Sequence, residues 1–138
     1  MIKIIVGKKG SGKTKYLVDH VNVAVKDEPG SLVFLSNGNR LMYDLKHSVR
    51  YVDTSDYNIE NYDAFYGFLT GIFANNYDIS HIFVDSLWKI VDSAAEGMDE
   101  FLGKLENFSA HYNVNFTIAI SEAKENIPEC VGKYIVEL

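Results

Sequence analysis

Residues 7–14 read GKKGSGKT, a stretch that combines three glycines with three lysines, a serine and a threonine. Its spacing matches G-x-x-x-x-G-K-[ST], the pattern of a loop whose backbone amides surround phosphate groups. Gly7, Gly10 and Gly12 allow positive φ angles and let those amides approach phosphate oxygens closely. The stretch therefore predicts a site for a chain of phosphates.

The last two residues of the stretch carry the charged chemistry. In such a loop the Lys13 ammonium contacts the β- and γ-phosphates, and the Thr14 hydroxyl is a ligand of Mg²⁺. A helix that begins here points its positive end at the phosphates. The predicted nucleotide contacts are Gly7, Lys8, Lys9, Gly10, Ser11, Gly12, Lys13, Thr14 and Lys15.

A second stretch, HIFVDSLWKI at residues 81–90, is an apolar strand that runs into Asp85. An aspartate at the carboxyl end of a buried strand is typical of the Walker B position, which holds Mg²⁺ opposite the phosphate loop. Asp85 could also cap a following helix, since Asp and Ser both favour that position. With the GKKGSGKT stretch upstream we predict that Thr14 and Asp85 together bind the metal.

The elements that must position these residues alternate between strands and helices. We predict strands at 2–6, 31–36, 49–53, 81–86 and 115–121, a short sixth one at 133–138, and helices at 12–25, 40–47, 59–76 and 98–112. This alternation predicts one α/β domain spanning residues 1–138, with a mostly parallel sheet of five to six strands in a three-layer αβα arrangement, the P-loop NTPase fold.

Composition limits the partners. The net charge of −6 argues against a general nucleic-acid binder, while lysines concentrated near the N-terminus favour a small anionic ligand. The single cysteine, Cys130, has no intrachain partner, which favours a reducing, cytoplasmic location. No apolar run approaches the roughly 20 residues of a membrane helix, so we expect no membrane insertion.

Three features resemble the RecA-like ATPase core. VDSLWKI is similar to the Walker B segment of that group, the elements from residue 51 to residue 85 follow the same order, and NFTIAISEAK resembles the strand whose polar end senses the γ-phosphate. The resemblance implies that Ser121 or Glu122 occupies the sensor position. The chain is also similar to a family of small bacterial P-loop ATPases of about this size, with no assigned role.

The chain departs from the RecA-like pattern at the carboxylate that activates water. Those ATPases usually carry a glutamate at the end of the second strand, where this chain reads FLSNGNR, or directly after the Walker B aspartate, where it has Ser86. The remaining candidates are Asp53 and Glu122, and we rank Glu122 ahead because its strand is expected to neighbour the first strand. We therefore expect weak intrinsic hydrolysis.

Several further residues have two interpretations. Arg40 and Tyr43 follow the second strand, where they could stack on a nucleobase or lie on the surface. Gly67 and Gly71 have GxxxG spacing, which is more typical of close packing on a sheet than of dimerisation in a soluble protein. Trp88 is expected in the core or at its rim, and the alternative is an anchor for a protein partner.

Three functions fit these observations. The first is an ATP- and Mg²⁺-binding protein that acts as a slow ATPase or a nucleotide-dependent switch. A protein partner or a second copy would then supply an arginine in trans, since no arginine follows Arg50. The second is a small-molecule phosphotransferase, for which the sequence shows no basic clamp. The third is a non-catalytic nucleotide-binding interaction module.

Overall fold

A single parallel sheet organises the chain in the computed structural model, which describes residues 1–91 and 96–137. Within those residues the strands are β1 Ile2–Gly7, β2 Ser31–Ser36, β3 Arg50–Asp53, β4 Ile79–Val84 and β5 Asn115–Ser121. Their order across the sheet is β1-β5-β4-β2-β3. The helices are α1 Lys13–Asp27, α2 Tyr62–Asn75, α3 Leu87–Ile90 and α4 Met98–Tyr112. The predicted α/β class with a parallel sheet is confirmed.

Apolar side chains from both faces of the sheet are buried, as is usual for parallel sheets covered by helices. On β4, Phe83 points to the α1 face, while Ile82 and Val84 point to the opposite face, because successive side chains of a strand alternate. One core cluster joins α1 to the first face through residues that include Leu17 and Val21. The other joins α2 and α4 to the second face.

Because all strands are parallel, their carboxyl ends meet at one edge of the sheet. Gly7 at the end of β1 pairs with Ser121 at the end of β5, and Leu35 near the end of β2 pairs with Val84 of β4. Asp85 follows β4 directly and donates its backbone N–H to the Leu35 carbonyl at 2.9 Å. The residues predicted to do chemistry therefore share this edge.

Two sequence predictions of elements are wrong. Residues 40–47 contain only a 3₁₀ turn at Met42–Asp44, and the expected sixth strand is reduced to one bridge between Ile135 and Ile4 after a 3₁₀ segment at Glu129–Tyr134. The short helix α3 was not predicted. The helix expected at 59–76 begins at Tyr62, because the Asn61 side chain accepts the Ala64 N–H at 2.8 Å.

The GxxxG glycines do not pack on the sheet. Gly67 and Gly71 are exposed, and a Cβ atom added to either would meet nothing within 4 Å. They line a groove of about 590 Å³ between α2 and α4, together with aromatic residues that include Tyr66, Phe73 and Tyr112. The close-packing interpretation is therefore wrong for these two positions.

None of the helices within residues 1–91 and 96–137 is long and apolar enough to cross a bilayer. A spanning helix needs about 20 predominantly apolar residues, whereas α1 and α4, at 15 residues each, are mixed in character.

Candidate functional site

The loop between β1 and α1 turns through two left-handed glycines. Gly10 has φ 86° and Gly12 has φ 91°, and the space beside each is open. Gly7 does not have a positive φ. There a glycine is needed for space, since an added Cβ would lie 2.5 Å from the Ser11 hydroxyl oxygen. The loop is thus shaped by backbone freedom at two positions and by close approach at a third.

Lys13 lies beneath this loop with only 4% of its surface exposed. Its ammonium donates to the Lys8 carbonyl at 2.8 Å and to the Ser11 hydroxyl at 3.1 Å. Burial lowers the pKa of Lys13, and the negative charge of Asp85 partly offsets that effect. The ammonium is therefore held in the loop by neutral oxygens, so an anionic ligand oxygen would be a stronger partner.

Asp85 is 1% exposed and receives hydrogen bonds on both carboxylate oxygens. The Thr14 hydroxyl donates to Oδ1 at 3.1 Å, and the Ser36 hydroxyl donates to Oδ2 at 3.3 Å. The Thr14 proton points to Asp85, which leaves the lone pairs of Thr14 Oγ1 available to a cation. Three oxygen-bearing side chains from α1, β2 and the end of β4 thus converge, which is the ligand chemistry that Mg²⁺ prefers.

Ser86 follows Asp85 in a left-handed conformation, with φ 55° and ψ 65°. This conformation costs a residue other than Gly, Asn or Asp about 1 kcal/mol or more, and such strain concentrates at functional sites. The turn directs the chain from the end of β4 into α3. As a result Ser86 and Lys89 both line the cleft above the loop between β1 and α1.

That cleft has a volume of about 390 Å³ and a cationic lining. Its charged side chains come from the loop, from α1, from α3 and from the segment after β2: Lys9, Lys13, Lys15, Lys89 and Arg40. Among the described residues no aspartate or glutamate lines it. In a chain with net charge −6, this local excess of positive charge favours an anionic ligand.

The other predicted contacts divide between the cleft and the surface. Gly10, Gly12, Thr14, Ser121 and Arg40 line the cleft. Tyr43 does not, since it is 91% exposed and borders a separate depression near Tyr51. The Lys15 ammonium pairs with Asp19 at 2.6 Å on the exposed side of α1.

The two candidate bases occupy different places. Asp53 ends β3, the edge strand on the other side of the sheet from β1, and pairs in register with Ser36 of β2. Its Oδ1 accepts the Ser55 hydroxyl at 2.6 Å and the N–H groups of Ser55 and Gly38, and these bonds, the hydroxyl bond most of all, lower its pKa. The structure does not bring Asp53 to the loop between β1 and α1. Its carboxylate instead caps the 3₁₀ turn Thr54–Asp56.

Glu122 follows β5, whose pairing with β1 confirms the predicted neighbourhood of the two strands. Its Oε1 accepts the Ala123 N–H at 2.9 Å and the Asn126 amide at 3.2 Å. Chiefly these two bonds lower the pKa of Glu122, and Lys8 adds a smaller effect. The carboxylate is thus near the loop but oriented by its own following turn.

Sequence reasoning missed two residues of the site. Ser36 was passed over because only an acidic residue was sought at the end of β2, although any polar residue there faces Asp85 once β2 and β4 are neighbours. Lys89 was missed because its position depends on α3, a four-residue helix with no detectable periodicity. Ser36 could have been predicted from the pattern of polar residues at the carboxyl ends of the strands.

The donor set limits the kind of metal site. Among the described residues no group of three or more His, Cys, Asp or Glu side chains could hold a metal ion. A cation here would therefore depend on Thr14, on water and on oxygens of the ligand itself. Mg²⁺ is commonly bound in this way, through few protein ligands and substrate phosphates.

No family model matches the chain, and no curated protein matches it. Function is therefore inferred from the chain's own residues and their placement.

Proposed function

We propose that this protein binds ATP together with Mg²⁺ in the cationic cleft, with the loop Gly7–Thr14 around the phosphates. The observation that carries the proposal is the lining of that cleft by Lys9, Lys13, Lys89 and Arg40. Lys15 also lines it, although its ammonium pairs with Asp19. Such a concentration of positive charge would repel itself without an anion. A phosphate chain supplies several negative charges within the span of one cleft.

The backbone supports the same conclusion. α1 is a 15-residue helix whose N-terminus opens directly from the loop, so its free N–H groups and its dipole face the cleft. Gly10 and Gly12 turn the loop without side chains that would block an approaching oxygen. Lys13 would exchange its bonds to Lys8 and Ser11 for stronger bonds to phosphate oxygens.

For Mg²⁺ we propose Thr14 as a direct ligand and Asp85 as the carboxylate that orients it and any bound water. Ser36 fixes the second oxygen of Asp85. Residues that orient a metal ligand in this way typically contribute about 10- to 100-fold to metal affinity. The metal would neutralise charge on the terminal phosphates.

We propose slow hydrolysis or a nucleotide-dependent switch as the activity. Ser86 follows Asp85 where an acid would be expected, Asp53 accepts bonds from Gly38 and Ser55, and Glu122 accepts bonds from Ala123 and Asn126. No carboxylate among the described residues is therefore free to activate water in the cleft. A protein partner or a second copy would supply a trans-acting arginine, since no arginine follows Arg50.

Equilibrium binding of ATP and GTP, with and without Mg²⁺, tests this proposal. We expect Mg²⁺-dependent binding that Lys13→Ala weakens about 10- to 100-fold, the range for losing one or two charge-assisted bonds. Lys26→Ala, an exposed lysine at the other end of α1, is the matched control and should leave affinity unchanged. Failure of both nucleotides to bind at millimolar concentration would contradict the proposal.

A further inference from the structure

A second cavity adjoins the cationic cleft. It has a volume of about 260 Å³ and is lined by Lys9, Ser86, Trp88, Lys89 and Ser121. All of these except Trp88 also line the larger cleft, so the two depressions are continuous. A ligand in the smaller cavity would therefore lie beside whatever occupies the larger one.

Trp88 gives the small cavity a fixed aromatic wall. Its indole N–H donates to the Tyr62 hydroxyl at 3.0 Å, and Tyr62 is buried with its ring stacked on Phe101 at 5.0 Å. Burial raises the pKa of Tyr62 to about 12, so the phenol stays neutral. The indole is only partly buried, which leaves the rest of the ring facing the cavity. A pre-oriented aromatic ring can stack on a flat ligand at low entropic cost.

Two lysines give the same cavity its charge. Lys9 and Lys89 are exposed, and neither pairs with a carboxylate among the described residues. By contrast, several other surface lysines have acidic partners: Lys15, Lys104, Lys124 and Lys133. Lys9 and Lys89 line both depressions, so the smaller cavity combines two lysines shared with the cationic cleft with an aromatic ring that the cleft lacks, and with the Ser86 and Ser121 side chains.

We propose that this cavity is a second ligand site, which binds a small anion carrying a flat ring while nucleotide occupies the neighbouring cleft. The ammonium groups would bind the anion by charge-assisted hydrogen bonds, and Trp88 would stack on the ring. The volume is slightly below the usual range for small-molecule sites, about 300–1,000 Å³, so a single ring with one anionic group fits. The inference rests on the proposed function, to which it adds a co-ligand.

Trp88 is the only tryptophan of the chain, so its fluorescence reports directly on the cavity. The first measurement is Mg·ADP binding by calorimetry, which tests the proposed function on its own. The protein saturated with Mg·ADP is then titrated with phenyl phosphate, which carries both a ring and an anion. Inorganic phosphate and benzyl alcohol serve as probes that carry only one of the two groups.

We expect a saturable change in Trp88 fluorescence with phenyl phosphate, and at least about tenfold weaker responses to the two partial probes. By calorimetry, Trp88→Leu should lose phenyl phosphate binding about tenfold, while Trp88→Phe, which keeps a ring, should lose less. Both variants should bind Mg·ADP as the wild type does, which also shows that they are folded. Lys46→Ala, an exposed lysine outside both depressions, is the control for a general loss of charge.

Two results would overturn the inference and leave the proposed function intact. One is the absence of saturable phenyl phosphate binding at millimolar concentration in protein that binds Mg·ADP. The other is an equal affinity for inorganic phosphate, which would make the cavity a plain anion site. Failure of Mg·ADP to bind would instead count against the proposed function.

Discussion

Thr14 and Asp85, 71 positions apart in the chain, are joined by a hydrogen bond of 3.1 Å from the Thr14 hydroxyl to Asp85 Oδ1. The bond links the first turn of α1 to the end of β4, across the intervening strand β5. It orients the threonine so that its lone pairs face the cationic cleft. The pair is thus the geometric basis for the proposed Mg²⁺ site.

Asp85→Asn should remove the Mg²⁺ dependence of ATP binding while preserving the shape of the side chain. We expect the affinity for ATP in the presence of Mg²⁺ to fall about 10- to 100-fold, and Mg²⁺-free affinity to change little. ATP affinity measured as a function of Mg²⁺ concentration checks this. Asp78→Asn, a comparable change just before β4, is the control. An unchanged Mg²⁺ dependence in Asp85→Asn would rule out the assigned role.

Intrinsic hydrolysis should be slow because no free carboxylate of the described residues lies in the cleft. We expect the isolated chain to turn over ATP far below several times per second in a phosphate-release assay, with Lys13→Ala as background. Any residual turnover should fall in Glu122→Gln and persist in Asp53→Asn, since Asp53 does not line the cleft and its carboxylate is bonded to Gly38 and Ser55. Lys13-dependent turnover of several per second by the isolated monomer would refute this account of the site.

Stability should decrease below about pH 6.5 because of His81. This residue is buried, with its ring nitrogens 2.9 Å from a Glu28 carboxylate oxygen and 2.8 Å from the Thr117 hydroxyl. Burial lowers the pKa of His81, and this effect outweighs the opposing influence of Glu28. Since the folded-state pKa lies below the unfolded value of about 6.5, the unfolded chain binds more protons as the pH falls.

Urea unfolding between about pH 7.5 and about pH 5 measures this dependence. The wild type should lose stability as the pH falls, and His81→Gln should show a flatter profile. His47→Gln, a change at an exposed histidine, should keep the wild-type slope. If the wild type gained stability toward pH 5 and His81→Gln removed that gain, the pH dependence of stability would have the opposite sign. This explanation would then be excluded.

Gly71→Ala should stabilise the protein. Gly71 lies inside α2, a Cβ there would meet nothing within 4 Å, and alanine favours a helix interior by about 0.5–1 kcal/mol over glycine. Gly30→Ala should do the reverse, because its Cβ would clash with the Asp78 carbonyl oxygen and lie 2.7 Å from Ser80 Cβ. We expect a cost of about 1–3 kcal/mol there.

The free energy of unfolding from urea titrations compares the two glycine variants. If Gly71→Ala were destabilising, then α2 would pack closely against something at that position, as the GxxxG spacing alone had suggested. The α2–α4 groove would then be a covered surface. The open space beside Gly71 instead predicts that the α2–α4 groove is uncovered at this position.

Sequence reasoning was most successful where the pattern is periodic or local. The helix predicted at 98–112 matches α4 at both ends, and the strands that carry Gly7 and Ser121 were predicted with the right neighbours. The helix predicted at 40–47 failed because tertiary bonds hold that segment in a turn. The Asn22 side chain bonds the Asp44 carbonyl and the Lys46 N–H, each at 3.0 Å. No local pattern encodes such contacts.

The site likewise combines features that depend on local sequence with features that depend on tertiary structure. The loop and Asp85 could be predicted because each is a short segment with its own chemistry. The contribution of Ser36 depends on β2 lying beside β4, and the contribution of Lys89 depends on the left-handed turn at Ser86. Asp53 lies on the edge strand at the other side of the sheet from β1. This position follows from the strand order, which residue types alone do not determine.

A ¹H–¹⁵N correlation spectrum, recorded with and without saturating Mg·ADP, tests the central claim most directly because it reports both binding and its location. The account predicts the largest shifts at the backbone amides of Gly10, Gly12, Lys13 and Thr14, with little change at Gly71 in the α2–α4 groove. Unchanged loop amides at saturating nucleotide, or shifts concentrated in that groove, would contradict it.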